Sequence, residues 1–411
     1  MKILVNHIAQ LVNTRTRSKV LRGNELAELP MINNAWLTIE NGCITGYGSM
    51  SEPVPGGRDW TIIDAGGATV LPAWCDSHTH LVFAASREEE FVDKINGLSY
   101  AAIAAKGGGI LNSARKLATM SEDALYDAAW NRLQSLMRLG TGAIEIKSGY
   151  GLDTNNELKM LRVIRRLKAT APIPVKASFL GAHTYPLAYK DDHEGYIRLI
   201  LNEMLPAIAR EGLADYIDVF CEEGFFSVEE TETICRAGMQ YGLKPKIHAN
   251  QLHASGGAEL GVELGAVSVD HLESMNASAI DALSGADTIG TLLPTAAFFL
   301  RMPFQPAREL INANAAIALA SDFNPGSSPS GNMNFVVSLS CIQMKLLPAE
   351  AINAATINGA YAMELGDTVG SITVGKKANL IFTQPIPSVN YLPYAFGTNL
   401  IHKVMINGAF I

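Results

Sequence analysis

Four short stretches carry side chains that could act together on one bound ion. The first is Asp76-Ser77-His78-Thr79-His80, at the end of an apolar run. Strand side chains alternate, so His78 and His80 face the same way, ~6.5–7 Å apart along the backbone. Two imidazoles at that spacing can share one metal ion, although an isolated H-x-H can equally be a surface pair. His248 lies in PKIHANQLH, His271 follows AVSVD, and Asp322 follows AIALAS. Three histidine sites and an aspartate suit zinc or a similar divalent ion such as iron. An ion that keeps one position open for water lowers the pKa of that water toward neutrality. The chemistry is therefore that of metal-assisted hydrolysis.

Such a constellation requires strands that end on one rim. Eight short apolar runs alternate with longer amphipathic stretches: 73–78, 142–147, 175–181, 216–220, 245–249, 266–270, 288–293 and 316–321. Amphipathic stretches such as 156–170 and 194–211 lie between them. Apolar strands alternating with helices indicate a parallel sheet covered on both faces. Eight units fit a closed (β/α)8 TIM-type barrel of about 250 residues, with polar residues at the C-terminal strand ends. A doubly wound open sheet is the competing arrangement. The chain ends differ in style. Residues 36–48 alternate around Asn41-Gly42, residues 403–411 repeat the pattern around Asn407-Gly408, and 369–383 reads as two more short strands. The expected organisation is an α/β chain with its barrel over 73–361. A small composite β-domain, sandwich-like, is built from 1–72 and 362–411.

The composition restricts the class. The chain has 411 residues, is 48% hydrophobic, and carries 32 basic against 40 acidic residues, a net charge of −8. An acidic surface repels phosphate backbones, so nucleic acid is not an expected partner, and an anionic substrate must be caught by local positive groups. Five widely spaced cysteines, an odd number without C-x-x-C, fit reduced thiols. Polar residues interrupt the N-terminal segment, and TIGTLLPTAAFFL is short and broken by proline. We expect a soluble, cytoplasmic enzyme without a membrane partner.

With these motifs in place, the sequence resembles the amidohydrolase superfamily. Within it, LVFAASREEEF (81–91), KGGGI (106–110), EIKSGYGL (145–152), FLGAHTYP (179–186), DHLES (270–274) and LASDFNPGSS (319–328) are similar to the imidazolonepropionases. The resemblance implies that His78, His80, His248 and Asp322 hold the metal, with His271 nearby. Many dinuclear relatives place a carboxylated lysine on strand 4. Here that strand ends in Phe220-Cys221-Glu222-Glu223, and Lys147 falls on strand 2, so one zinc or iron ion is expected. The implied reaction is hydrolysis of the ring amide of 4-imidazolone-5-propanoate to N-formimidoyl-L-glutamate, in histidine degradation, by a metal-activated water. Arg87 would hold the propionate carboxylate, as a guanidinium fork can. Alternatively it pairs with Glu90 on a helix. Tyr150, Tyr100 and His183 would contact the substrate. Asn324, Gly326 and Ser327 would bind ring nitrogens or the formimidoyl end, or simply form a Pro-Gly turn. Asp322 would move the proton and His271 would stabilise the oxyanion. The fold family implies a homodimer.

Gln251 occupies a position where related deaminases carry a glutamate that shuttles protons. An amide donates and accepts hydrogen bonds but has no pKa near neutrality. Gln251 can orient a substrate, and proton transfer then falls to Asp322 and His271. Another cyclic amidohydrolase or a deaminase acting on a small carboxylate-bearing heterocycle is the alternative activity, and a catalytically silent barrel is a third reading. The triple glycine at 107–109 lacks a following Gly-Lys-Ser/Thr and is expected to form a mobile loop over the barrel mouth. His193 is expected to be solvated and His253 to be a loop residue. His7 and His402 are assigned to the terminal β segments.

Overall fold

The computed structural model describes residues 1–98 and 108–411. Tyr100 and part of the glycine-rich stretch lie outside the described residues. Asn41-Gly42 and Asn407-Gly408 each supply paired left-handed residues (φ 49° and 80°; 48° and 79°), the geometry of a two-residue hairpin turn. They join β2 (Met31–Glu40) to β3 (Cys43–Ser49), and β15 (Ile401–Ile406) to β16 (Ala409–Phe410). These strands belong to one sheet with β1 (Lys2–Val12), β4 (Trp60–Asp64), β5 (Thr69–Pro72) and β14 (Leu380–Thr383). The strand β1 is the spine. One edge pairs with β2, and the other with β4 and then β5. A register shift between Val5 and Ile8 separates the two partners, with His7 left-handed at φ 50°. Ile3, Val5, Ile8, Leu37, Leu380 and Met405 form the sheet's own core.

Residues 369–383 depart from the expectation of two strands. Only Leu380–Thr383 is a strand, while Ile372 makes an isolated bridge to Thr14. Gly370 and Gly375 have φ of 88° and 95°, which turns the chain before a ladder can extend.

The second sheet begins at Trp74, with one residue between it and the end of β5. Its strands are β6 (Trp74–Asp76), β7 (Thr141–Lys147), β8 (Val175–Ala182), β9 (Tyr216–Cys221), β10 (Lys244–Ala249), β11 (Ser268–His271), β12 (Ile289–Leu292) and β13 (Ile317–Leu319). All are parallel and in sequential order. Beyond β6 and β13 the ends meet: Asp322 N–H donates to His78 O at 3.0 Å and His80 N–H to Phe323 O at 2.9 Å, around a Thr79–Phe323 bridge. Asp76 locks this seam by accepting from the Ser321 N–H and hydroxyl at 3.0 and 2.6 Å. The sheet is thus a (β/α)8 barrel.

The connecting helices start at side-chain caps. Ser121 begins Glu122–Arg138, Asp153 begins Thr154–Thr170, and Ser227 with Glu230 forms a capping box for Val228–Gln240. The stretch 194–211 is helical with a π-turn at Ile200–Met204, immediately before Leu205–Glu211, whose Pro206 has no N–H to donate. The helices' apolar faces and the strands' outer faces share the main core. No helix among the described residues is long and apolar enough to cross a membrane.

Candidate active site

Parallel register, repeated around the barrel, places strand-end side chains on one rim. His248 lies beside Asp270 and Phe220, and Ala249 beside His271. At or just past the strand ends the backbone leaves ordinary conformations. Asn250, His271 and Asp322 have φ of 55°, 90° and 51°. Non-glycine residues there cost ~1–3 kcal/mol each, the kind of strain that collects at functional sites.

His78, His80, His248, His271 and Asp322 converge and are all buried. The Nε2 atoms of His78 and His80 each lie 3.5 Å from Asp322 Oδ1, and those of His248 and His80 are 3.4 Å apart. Tautomers follow from the partners. His78 Nδ1 lies 2.7 Å from Asp270 and His248 Nδ1 3.0 Å from Asp218, and a carboxylate can only accept. Both protons therefore sit on Nδ1, and the Nε2 lone pairs point inward. Burial, reinforced by neighbouring cations and histidines, holds the His78 and His80 pKa values well below the usual range. His78 Nε2 is buried without a hydrogen-bond partner. Converging lone pairs and a carboxylate with no donor between them fit a cation. His78, His80 and Asp322 form one cluster of metal-binding geometry, and His78, His248 and His271 another.

Two nearby histidines are tuned in opposite directions. His183 Nδ1 lies 3.0 Å from the Gly149 carbonyl, so it is the donor, and burial pushes its pKa down to about 4. Burial also works against a charge on His271, but Glu273, with an oxygen 3.5 Å from Nδ1, and then Asp322 raise its pKa. Burial pushes Asp322 up to about 6, opposed by His271.

Above this floor is a cavity of about 420 Å³. Its wall includes Arg87, Tyr150, His183, Gln251, Asn324, Gly326 and Ser327, with His80, His248, His271 and Asp322 at the base. The loop after Asp322 is internally braced. The Asn324 amide donates to the Asp322 carbonyl and to Ser327 Oγ, and its oxygen accepts from the Gly326 and Ser327 N–H groups. Its side chain thus builds the turn, while Ser327 Oγ lies 3.2 Å from Asp322 Oδ2.

The pairing with Glu90 is present: Arg87 donates to it through Nε and Nη2, at 2.9 and 2.6 Å, while its side chain also lines the cavity. Glu90 in turn accepts from the Gly109 N–H and the Asn112 amide. The remaining Arg87 nitrogen lies against Gly326, where an added Cβ would come within 2.2 Å of Nη1. Gly326→Ala is therefore expected to push Arg87 aside. A carboxylate-bearing ligand should bind roughly tenfold more weakly, about 1.4 kcal/mol, as titration of both proteins would show.

Sequence reasoning missed Lys94, Phe220, Phe225, Leu300 and Met302, which also line the cavity. Lys94 was detectable: Arg87, Glu90 and Lys94 share one helical face by spacing. The apolar members carry no sequence signal distinguishing them from core residues. His193 is half-exposed but stacks on Tyr185 at 3.7 Å, and His253 Nδ1 is 3.1 Å from Glu222. Lys147 is wholly buried beneath the histidines rather than among them.

Comparison with known proteins places this geometry. A solved guanine deaminase from E. coli superposes with TM-score 0.75 at 14% identity, over 100% of this chain and 99% of its own. A zinc-bound adenosine deaminase from Xanthomonas campestris gives 0.72 at 16%, over 99% and 92%. These show the fold. The Amidohydrolase family model matches residues 229–411. The imidazolonepropionase of Flavobacterium johnsoniae is 57% identical over all of both chains, and that of Christiangramia forsetii 55% over all of both. The more distant one from Alkaliphilus metalliredigens is 38% identical over 100% of this chain and 97% of its own. Identity of that extent, spanning both the terminal sheet and the barrel that holds the five converging groups, means that the chain belongs to the imidazolonepropionase family.

Proposed function

We propose that the chain hydrolyses the ring amide C–N bond of 4-imidazolone-5-propanoate to N-formimidoyl-L-glutamate in histidine degradation. The observation that carries this reading is a histidine–aspartate cluster flooring a cavity whose rim presents Arg87, within a chain 57% identical to an imidazolonepropionase. His78, His80, His248 and Asp322 would hold one ion, zinc or iron by their nitrogen and oxygen donors, and it would supply an acidified water and polarise the ring carbonyl.

The chain's own groups do the rest. Arg87 binds the propionate carboxylate at the rim. Tyr150, His183, Gly326 and Ser327 line the space for the ring, and Phe220, Phe225, Leu300 and Met302 exclude bulk water around it. Asp322 takes a proton as the water oxygen adds to the carbonyl carbon. The C–N bond breaks, the ring nitrogen receives that proton, and the carbonyl becomes a carboxylic acid that loses the water's second proton to solvent as the carboxylate forms. His271, backed by Glu273, stabilises charge on the carbonyl oxygen. Gln251 orients the ring and carries no proton, which disfavours a deaminase.

The test is incubation with freshly generated imidazolonepropionate while following ring absorbance and products. Loss of absorbance with formimidoylglutamate is expected. Ammonia released without ring opening would sink the proposal. Elemental analysis of protein purified without added metal separates zinc from iron. The same reading makes the enzyme a cytoplasmic homodimer with no nucleic-acid or membrane partner, and light scattering tests the dimer.

A further inference from the structure

The barrel interior below the histidines is not apolar. Inward-facing positions between β7 and β11 carry Glu145 and Lys147, two apart on β7, with Asp218 on β9, Lys246 on β10 and Asp270 on β11. Every one of these side chains is fully buried. Lys147 Nζ lies 2.6 Å from Glu145, 2.7 Å from Asp218 Oδ2 and 3.4 Å from Asp270 Oδ2. Lys246 contacts Glu145 and the carbonyls of Ser77 and Ala362. Asp218 and Asp270 thus stand between Lys147 on one side and His248 and His78 on the other.

Burying charge is costly unless each group is paired and hydrogen-bonded. A cluster of two ammonium groups and three carboxylates is an expensive way to fill a barrel that aliphatic side chains would pack equally well. Its geometry has a specific consequence. A carboxylate that accepts from a histidine Nδ1–H fixes both the tautomer and the ring orientation of a metal-binding imidazole. A carboxylate free to rotate would do neither. Among the described residues, Lys147 is the cation in contact with both of these carboxylates.

We propose that Lys147 is a positioning residue for the metal centre. It holds Asp218 and Asp270 so that the Nε2 atoms of His248 and His78 converge. The inference rests on the reading of these histidines as metal ligands. It extends that reading to a lysine that touches neither the ion nor the substrate.

The experiment measures Zn²⁺ affinity of the metal-stripped protein by competition with a chelator, for wild type, Lys147→Met, Asp270→Asn and the double variant. Loss of an outer partner typically weakens metal binding about 10–100-fold, and Lys147→Met should fall in that range. Because Lys147 acts partly through Asp270, its effect should be smaller in the Asp270→Asn background than in wild type. Zn²⁺ affinity of Lys147→Met within about threefold of wild type, or an equal loss in both backgrounds, would overturn the proposal. The double variant keeps the cluster's net charge. If Lys147→Met fails to fold, the comparison of the double variant with Asp270→Asn decides alone: a further loss of about threefold or more, the part carried through Asp218, supports the proposal, and a change under about threefold overturns it. A wild-type protein that takes up no zinc would instead remove the metal reading itself.

Discussion

His248→Ala is expected to lose the metal and the activity together, with kcat/KM lower by about 10⁴-fold or more, ~5.4 kcal/mol of transition-state stabilisation. Its Nε2 lies 3.4 Å from that of His80, and its Nδ1–H is spent on Asp218, so it offers one inward lone pair. Alanine removes that donor and leaves Asp218 without one of its two partners. Metal content and turnover should therefore fall in parallel, with circular dichroism confirming the fold. A metal-free His248→Ala protein with full turnover would refute the assignment of His248 as a ligand.

The second large effect is expected at Arg87. Truncating one partner of a buried charge pair costs ~2–5 kcal/mol, so Arg87→Ala should raise KM for the propionate-bearing substrate by about 10²–10³-fold. The change in kcat should be much smaller, because Arg87 lies at the rim rather than at the reacting bond. Two causes act in the same direction. The substrate carboxylate loses its cation, and the Glu90 carboxylate, held by Arg87 at 2.6 Å, is left to repel it. The double variant Arg87→Ala/Glu90→Gln should recover part of the loss. An imidazolone lacking the propionate carboxylate should be turned over equally by wild type and Arg87→Ala. Unchanged kinetics with the natural substrate would remove Arg87 from the site.

These expectations bear on the charge of the chain. A protein of net charge −8 that handles an anion must concentrate positive charge locally. The cavity does so with Arg87 and Lys94, the latter donating to the Gly326 carbonyl at 3.3 Å. Lys94 was absent from the sequence reading because a helical lysine is ordinarily a solvated surface residue. The packing of this helix against the 324–327 loop turns it inward, on the face that spacing assigns to Arg87 and Glu90 as well.

The barrel was legible because its strands are short apolar runs separated by amphipathic stretches, and the strand-end groups because H-x-H, His248, His271 and Asp322 each close such a run. The hairpins at Asn41-Gly42 and Asn407-Gly408 were legible because their left-handed turn residues are a local property. The 369–383 segment was misread because alternating apolar residues suggest strands even where glycines at positive φ turn the chain. The charged interior was overlooked for a related reason. Glu145 with Lys147, Asp218, Lys246 and Asp270 lie on four sequence segments that look, one at a time, like strand edges.

Sequence alone thus determined the fold class, the histidine and aspartate side chains that close the strands and the candidate chemistry, since periodicity and residue type act over a few positions at a time. The tertiary structure decided what depends on closing the barrel. It set which lone pairs face inward, how Gly326 makes room for Arg87, and how Lys147 comes to stand beneath two histidines. Side chains more than a hundred residues apart in sequence share a few ångströms only after eight strands have closed into a ring, and the register that closes the ring is a property of the whole sheet.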